Sequence, residues 1–229
     1  SAWLAKSEGC DTDVSLRPAA HPKGTTVEVR ELFYNTPARR KFLRSEATEY
    51  NNISSCIKRL ALSRFEVTFA LTNNDRLRLD LSAASCYMDE LERLRVICGT
   101  TFVDNAIYLD NQSLNLRMKG WVSSPTFSRS QSDLQYLYVN GRYVKDKTIS
   151  YAIRQAYQDV LYKGRHPAFV LYLETDLKDV DVNVHPTKHE VRFRDSKIIH
   201  RLVYTAINSA IAKEYLKNDN FTDIEVNQV

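Results

Sequence analysis

The sequence predicts an α+β protein, and three kinds of segment lead to this fold class. Short stretches such as 25–32 and 76–81 alternate apolar and polar residues, as half-buried strands do. Longer stretches, above all 45–63 and 196–217, repeat apolar residues at helical spacing. Asn140-Gly141 stands between two aromatic-rich runs, where this dipeptide is a strong hairpin signal. Strands and helices are therefore expected along the whole chain.

In the first half of the chain we expect strands, two helices and a hairpin. Thr36 and Pro37 are residue types typical of a helix cap and of the first helical position. A second helix is expected from Ser45, with acidic residues in its first turn, to about Ser63. The other segments are strands at 13–20 and 25–32, a turn at 21–24, and a hairpin of 65–71 with 76–81.

The second half is expected to open with a helix within 82–95, which is also the favoured domain boundary. A helix at 146–161 carries one apolar stripe, and a final helix is expected from 196 to 217. The expected strands are 105–110, 114–122, a hairpin within 134–146, a buried strand at 168–174, and two alternating segments at 179–184 and 190–195.

The net charge of +4 is concentrated in one segment. Residues 115–165 carry nine basic and three acidic side chains, whereas the two signs nearly balance in the rest of the chain. Such a segment is a candidate surface for a polyanion. The sequence leaves open the alternative that these charges are solvated and balanced by neighbours in the folded structure.

What the sequence lacks argues against several kinds of site. Its six glycines form neither a phosphate-binding loop nor a dinucleotide fingerprint, and no arrangement of Ser, His and Asp supports a catalytic triad. His185 and His189 are four residues apart, but Pro186 separates them and strand-like segments flank them, so no metal site is expected. The four cysteines stand among apolar neighbours, as buried free thiols usually do. No apolar run approaches the roughly 20 residues of a membrane helix, and a cytoplasmic protein is expected.

Two long motifs resemble the signature segments of a known family. Residues 24–43, GTTVEVRELFYNTPARRKFL, and residues 179–193, DVDVNVHPTKHEVRF, closely resemble those of the MutL family of DNA mismatch repair proteins. Residues 138–146, YVNGRYVKD, also match the family pattern. The resemblance is greatest to the bacterial members, and it extends from about residue 14 to residue 205.

The resemblance implies a two-part architecture. Residues 1–82 would be the C-terminal part of a GHKL ATPase α/β sandwich, 83–95 a linker helix, 96–217 a ribosomal-protein-like split βαβ transducer domain, and 218–229 a flexible tail. In the family, the general-base glutamate, the magnesium-binding asparagine and the glycine-rich lid lie before these segments. The chain is therefore expected to be an internal fragment that alone is not a competent ATPase and binds no nucleotide.

The resemblance also implies site residues for ATP. Gly24 and Thr25 are similar to the family's strand-end "GT" beside the nucleotide. Lys188, in HPTKH, would reach from the transducer domain to the γ-phosphate and stabilise charge during hydrolysis, which makes it the expected catalytic residue. ATP and Mg would be bound by the intact protein. Without the resemblance, residues 21–26 would be interpreted as an ordinary turn.

The candidate DNA-binding residues come from two places. Arg142, Lys145, Lys147 and Arg154 lie on the predicted hairpin and the following helix, and Lys147 resembles a basic position implicated in DNA binding in the family. Arg39 and Arg40 follow the NTP of the first motif. One of these two is expected to hold internal structure and the other to face DNA, and the sequence does not decide which. Such contacts neutralise phosphates without distinguishing bases.

The function implied by the resemblance is DNA mismatch repair. An ATP-dependent coupling protein would link mismatch recognition by MutS to strand processing by a MutH-type endonuclease or a helicase, acting as a homodimer when ATP is bound. A second hypothesis is a nucleic-acid-binding module without enzymatic activity. A third is another GHKL relative such as a type II topoisomerase subunit, which lacks the LFYNTPARRKF signature.

Overall fold

The computed structural model describes residues 2–8, 13–113, 115–181 and 191–225, and for residues 217–225 only the course of the backbone. The chain forms two compact units, Ser1–Ile53 and Ser54–Val229. Their division falls inside one helix, and each unit is described by itself. The domain limits implied by the resemblance, at residues 82 and 96, stay predictions.

The first unit contains one small sheet. Strands β1 (Ala2–Lys6) and β2 (Ser15–Ala19) pair antiparallel, with Ala2 opposite Ala19 and Lys6 opposite Ser15. The strand predicted at 25–32 is wrong, because residues 25–30 have no regular secondary structure. Alternation places apolar side chains on one face of a strand. A strand also needs a neighbouring strand that forms hydrogen bonds with its backbone N–H and C=O groups.

Two helices follow in the first unit, as the sequence predicted. Helix α1 (Pro37–Arg40) has Thr36 at its cap and Pro37 at its first position, although the Thr36 side chain makes no capping hydrogen bond. Helix α2 runs over Glu46–Ser63, after a break at the expected place. At its start the Glu49 carboxylate accepts from the backbone N–H of Arg44 at 3.0 Å, which satisfies one donor near the helix entry.

The second unit is built around a five-stranded sheet. Its elements are α2 from Ser54 onward, β3 (Phe69–Asn73), β4 (Arg76–Leu81), α3 (Tyr87–Cys98), α4 (Thr100–Asp104), β5 (Ala106–Ser113), β6 (Leu116–Ser123), β7 (Gln135–Val139), β8 (Arg142–Tyr143), α5 (Lys147–Ala156), β9 (Phe169–Glu174), a 3₁₀ turn (Leu177–Asp179), β10 (Val180–Asp181), β11 (Arg192–Phe193) and α6 (Ser196–Glu225). The α+β class is thereby confirmed.

The strand order of the sheet is β5-β6-β9-β7-β8. Strands β7 and β9 are parallel neighbours connected through α5, which makes a βαβ unit, and the other pairs are antiparallel. Strand β9 thereby separates β6 from β7, which are consecutive in the sequence. Gly120 lies where β6 meets β9, and a Cβ there would stand 2.2 Å from the Val170 carbonyl oxygen, so only glycine allows this approach.

Both faces of the sheet are covered. One face packs against α5 and α6 through residues such as Met118, Leu171 and Ile153. The other packs against the end of α2, the β3–β4 hairpin, α3 and α4, through residues such as Trp121 and Tyr138. Alternate residues of each central strand therefore enter two different cores, which explains why β9 is apolar or aromatic from Phe169 to Leu173.

A buried arginine joins three segments on the second face. Arg93 of α3 is 3 % exposed, and its guanidinium donates to the carbonyls of Ala61, Arg64 and Val67 at 2.8–3.0 Å and to that of Ser82. Burial lowers its pKa, but a guanidinium stays charged at any ordinary pH. Nothing in the sequence pattern distinguished this arginine from those on the surface.

Two sequence expectations need correction in the second unit. Helix α6 continues to Glu225, beyond the end expected near residue 217. Of the three cysteines that the structure describes, all free, only Cys98 is buried, whereas Cys56 and Cys86 are exposed. Apolar sequence neighbours do not bury a residue on a helix or at a cap, because those neighbours face other directions.

Candidate nucleic-acid interface

The basic hairpin is held rigidly at its turn. Asn140 and Gly141 both have positive φ, 48° and 77°, which is the geometry that a two-residue hairpin turn requires. The Asn140 side chain also donates to the Thr175 carbonyl at 3.0 Å and accepts from the Thr175 N–H at 2.9 Å. This pair of bonds ties the turn to the end of β9, and Arg142 follows it directly on the edge strand β8.

Helix α5 presents two of the predicted cations on its outer side. Asp146 caps the helix, its carboxylate accepting from the Ile149 N–H at 2.8 Å. Ile149 and Ile153 are buried against the sheet, whereas Lys147 and Arg154 are exposed. Since Lys147 and Arg154 are seven residues apart, they lie on one stripe of the helix, about 10 Å from each other along its axis.

The structure separates the nine basic residues of 115–165 into two groups. Four are engaged: Arg117 with Asp110 at 2.7 Å, Lys119 with Glu174 at 3.1 Å, Arg129 with Asp133 at 2.6 Å, and Arg165 with the Ser128 hydroxyl at 3.0 Å. The other five, Arg142, Lys145, Lys147, Arg154 and Lys163, are exposed and have no carboxylate within 4.0 Å among the described residues.

The second group contains all four candidate DNA-binding residues of this segment. Exposed guanidinium and ammonium groups can bind phosphate oxygens. Here Arg142 stands on β8, Lys147 and Arg154 stand on α5, and Lys145 lies in the short connection between these two elements. The four engaged cations cannot bind phosphate without giving up the ion pairs or hydrogen bonds that they already form. Arg117, for example, lowers the pKa of the Asp110 carboxyl by hydrogen bonding and charge, which is the sign of a committed ion pair.

Arg39 and Arg40 lie in the first unit on a helix of a single turn. Because α1 ends at Arg40, the two arginines occupy its last turn, where the helix dipole favours positive charge. Both side chains are exposed, and no ion pair involves them in the described part of the chain. The expectation that one of them holds internal structure finds no described contact to support it.

The residues expected at the nucleotide are only partly described. Gly24 and Thr25 are exposed, within a segment without regular secondary structure. Gly24 has φ +144°, and nothing lies within 4 Å of the place where its Cβ would stand, so a ligand could approach the backbone there. Lys188 lies outside the described residues, as do His185 and His189. The described residues contain no group of three or more His, Cys, Asp or Glu that could hold a metal ion.

One further cation near the hairpin was missed by sequence reasoning. Arg59 of α2 lies over the Tyr143 ring, with 4.6 Å between the guanidinium carbon and the ring centroid. Arg59 is about 80 residues from Tyr143 along the chain, and the apolar periodicity of α2 does not distinguish Arg59 from the other polar residues of the helix. No sequence signal could have found it, because the contact depends on how α2 packs on the sheet.

Comparison with known proteins places the chain in a family. The family described as "DNA mismatch repair protein, C-terminal domain" matches residues 94–212, more than half of the chain. The chain belongs to this DNA mismatch repair family. Among curated proteins, the DNA mismatch repair protein MutL of Cellvibrio japonicus is 55% identical over 213 residues, and that of Azotobacter vinelandii is 52% identical over 212. The resemblance drawn from the two motifs is confirmed.

Each of the two alignments covers 93% of this chain. They cover 34% of the Cellvibrio japonicus protein and 33% of the Azotobacter vinelandii protein. The chain thus spans about a third of the curated relatives it matches. Among the described helices, none has the length and apolarity that crossing a bilayer requires.

Solved structures agree with the family fold. The N-terminal domain of a DNA repair protein superposes with a TM-score of 0.71 at 22% identity, covering 90% of this chain and 66% of that one. The ATPase domain of the mismatch repair endonuclease MutL from Aquifex aeolicus gives a TM-score of 0.60 at 25% identity, covering 84% and 65%. The fold expected from the resemblance is therefore confirmed.

Proposed function

We propose that this chain is the DNA-binding and nucleotide-responsive part of a mismatch repair protein. The observation that carries the proposal is the group of exposed cations from β8 to α5 that have no carboxylate partner among the described residues, in a chain that belongs to a mismatch repair family. Arg142, Lys145, Lys147 and Arg154 would contact phosphates of duplex DNA, with Arg39 and Arg40 as further contacts. Base sequence would matter little, because phosphates are the same in every sequence.

The nucleotide would act through residues that lie far apart in the sequence. In the intact protein, Gly24 and Thr25 would lie beside ATP with its Mg, and Lys188 would hold the γ-phosphate. A lysine there provides a compact charge that is engaged only while this phosphate is present, which would make the transducer region sensitive to hydrolysis. Positioning and charge stabilisation would dominate the chemistry. The open backbone at Gly24 supports a close approach of the ligand.

The assignment of regions follows the same proposal. Residues 1–82 would belong to the ATPase domain, 83–95 to a linker helix, 96–217 to the transducer domain and 218–229 to a tail. The partners of the intact protein would be DNA, MutS, and a MutH-type endonuclease or a helicase, and ATP would favour its homodimer. The isolated chain would bind DNA without ATPase turnover, which is the second hypothesis drawn from the sequence.

The salt dependence of DNA binding tests the proposal. Neutralising about five phosphates gives a slope of log K against log salt near −4.5. With Lys147→Glu and Arg154→Glu together, we expect weaker binding to unrelated duplexes by similar factors and a slope shallower by about 2. Fluorescence anisotropy over a salt series, with two unrelated duplex sequences and without nucleotide, measures both quantities.

A charge-matched control separates a binding surface from a general electrostatic effect. Arg76 and Arg78 are exposed on β4 and belong to neither the β7–β8 hairpin nor α5. The double variant Arg76→Glu and Arg78→Glu changes the net charge equally, and it should leave the slope unchanged. An unchanged slope in the Lys147 and Arg154 variant, or equal losses in both double variants, would refute this site.

A further inference from the structure

The outer edge of strand β7 is covered over only part of its length. On its inner side all five residues, Gln135–Val139, are paired with β9. On its outer side β8 pairs at two positions, Tyr138 with Tyr143 and Val139 with Arg142. The chain then leaves the sheet to begin α5. The first part of β7 is therefore an open sheet edge in the described part of the chain.

The groups on this edge can be identified from the hydrogen bonds. Alternate residues of a strand direct both backbone groups to the same side. Leu134 O accepts from Phe169 N on the β9 side at 2.9 Å, and Leu137 O accepts from Val144 N on the outer side at 2.9 Å. Gln135 and Leu137 therefore face outward. The N–H and C=O of Gln135 and the N–H of Leu137 have no backbone partner among the described residues.

A groove of about 420 Å³ lies along this edge. Ser55 and Arg59 of α2 contribute to its lining from one side, and Lys145 and Ser150 from the other. The lining also includes one carboxylate, that of Asp133, which is bound to Arg129 at 2.6 Å. Arg59 and Lys145 have no carboxylate partner within the described residues, so the uncompensated charge of the groove is positive.

We propose that this groove binds an extended peptide segment with acidic side chains, which adds as a strand to Gln135–Leu137. A peptide backbone offers donors and acceptors in the order that the edge requires, and pockets beside the edge select the side chains. About four residues of the peptide, roughly 13 Å, would cover the open part. Its carboxylates would bind Arg59 and Lys145.

The phosphates of a nucleic acid fit the charges of this groove but not its backbone groups. Phosphate oxygens only accept hydrogen bonds, so the Gln135 carbonyl, which also accepts, would be left facing them unpaired. The side-chain amide of Gln135 is directed elsewhere, since it donates to the Pro167 carbonyl at 3.0 Å. A backbone donor and acceptor at Gln135 that have no backbone partner among the described residues, together with the cations Arg59 and Lys145, favour an acidic peptide as the ligand. The groove shares Lys145 with the proposed DNA-binding surface, but Arg59 and the backbone groups of Gln135 and Leu137 belong to the groove alone.

The test uses the isotope-labelled 229-residue chain and a capped peptide of about six residues in which Glu and Val alternate. NMR titration should show saturable shifts at the Gln135 and Leu137 amides, with the Leu137 amide proton moving downfield as it gains an acceptor. Arg59→Glu should weaken the affinity by about ten-fold or more. The matched variant Arg78→Glu, which is exposed on β4 and does not line the groove, should bind the peptide like the unmodified chain.

A second peptide tests the strand pairing in the unmodified protein. In it, the backbone nitrogens that would donate to the edge are methylated, while the carboxylates are kept. We expect it to bind at least about ten-fold more weakly than the first peptide. Equal binding of both peptides would overturn the proposal in favour of charge attraction alone. No saturable shift at Gln135 and Leu137, or the same shifts with oligo-dT and not with the peptide, would also overturn it. The DNA variants at Lys147 and Arg154 leave this groove intact, so failure here is separable from failure of the proposed function.

Discussion

Asp89 illustrates how a single exposed carboxylate can define the start of a helix. One of its oxygens accepts from the Ser85 N–H at 2.8 Å, the Ser85 hydroxyl at 2.7 Å and the Cys86 N–H at 3.2 Å. The Cys86 side chain accepts in return from the backbone N–H of Asp89, which completes a capping box at α3. These bonds, first of all those from Ser85, lower the pKa of Asp89 to about 2.

This shift predicts a pH dependence of stability. A carboxyl whose pKa is lower in the folded state than in the unfolded state stabilises the fold when it is ionised. The contribution of Asp89 should be nearly complete above about pH 4 and should be lost as the pH falls through about 2. We expect Asp89→Asn to lower the Tm of the second unit by about 2–4 °C at pH 6, and the difference from the unmodified chain to shrink to a small part of this value near pH 2.

Differential scanning calorimetry from pH 6 to pH 2 measures this difference. Asp80→Asn is the control, because Asp80 is exposed on β4 and has no ion pair in the described part of the chain. Its Tm should follow that of the unmodified chain throughout. A loss in Asp89→Asn that stays constant down to pH 2 would show that its charge does not stabilise α3.

Single residues also show where sequence reasoning reaches its limit. The excess of basic residues in 115–165 was visible in the sequence, but the sequence could not show that Arg117 and Lys119 are bound to acids. Arg117 lies opposite Gln112, and Asp110 is two residues from Gln112 along β5, so Arg117 reaches Asp110 diagonally across β5 and β6. Which side chains form ion pairs across a sheet depends on the register of the strands, and a count of charged residues gives no information about register.

At the scale of elements, the end of α2 is the most heavily anchored helix terminus described. The Tyr138 hydroxyl donates to the Arg59 carbonyl at 2.8 Å and the Tyr172 hydroxyl to the Leu62 carbonyl at 2.7 Å. Burial raises the pKa of both phenols well above 10, so they remain donors. Arg93 and Tyr172 thereby satisfy the carbonyls of Ala61 and Leu62, which lie in the last turn of α2 and have no donor within the helix.

Removing these donors should cost stability in proportion to the bonds lost. Tyr172→Phe keeps the ring and removes one hydrogen bond, which should lower the free energy of unfolding by about 1 kcal/mol. Arg93→Met leaves several carbonyls without a donor and should cost about 3 kcal/mol or more. Urea unfolding followed by circular dichroism measures both. Tyr162→Phe is the control, since Tyr162 is 89% exposed, and a Tyr172→Phe variant as stable as the control would contradict the anchoring role.

Elements whose signals are local were predicted well. The Asn140-Gly141 hairpin, the start of α2 and the stripe of α5 depend on turn chemistry, caps and periodicity, all of which lie within a few residues. The false strand at 25–32 alternates apolar and polar residues, yet Val27 is 82% exposed. What decides a strand is a partner from elsewhere in the chain, and periodicity contains no information about that partner.

At the scale of the whole molecule, the two units differ in how they bury apolar residues. The second has two cores, one on each face of its sheet. The first exposes many large apolar side chains: Trp3, Leu16, Val27, Val29, Tyr34 and Phe42, each at least 65% accessible. With one two-stranded sheet and little buried area, the first unit has few contacts that would hold its backbone closed.

Hydrogen exchange should therefore separate the two units. We expect amides of residues 25–44 to exchange within seconds at neutral pH, close to the rate of an unfolded chain, because their opening costs almost no free energy. Amides of β6 and β9, paired on both sides and buried, should be protected by the full free energy of unfolding, by factors of about 10³ or more. Exchange mass spectrometry of the 229-residue chain, referenced to a urea-unfolded sample, resolves these segments. If residues 25–44 were protected as strongly as β9, the exposed apolar side chains would be covered in solution, for instance by a second copy of the chain. Protection that decreases on dilution would identify such an association.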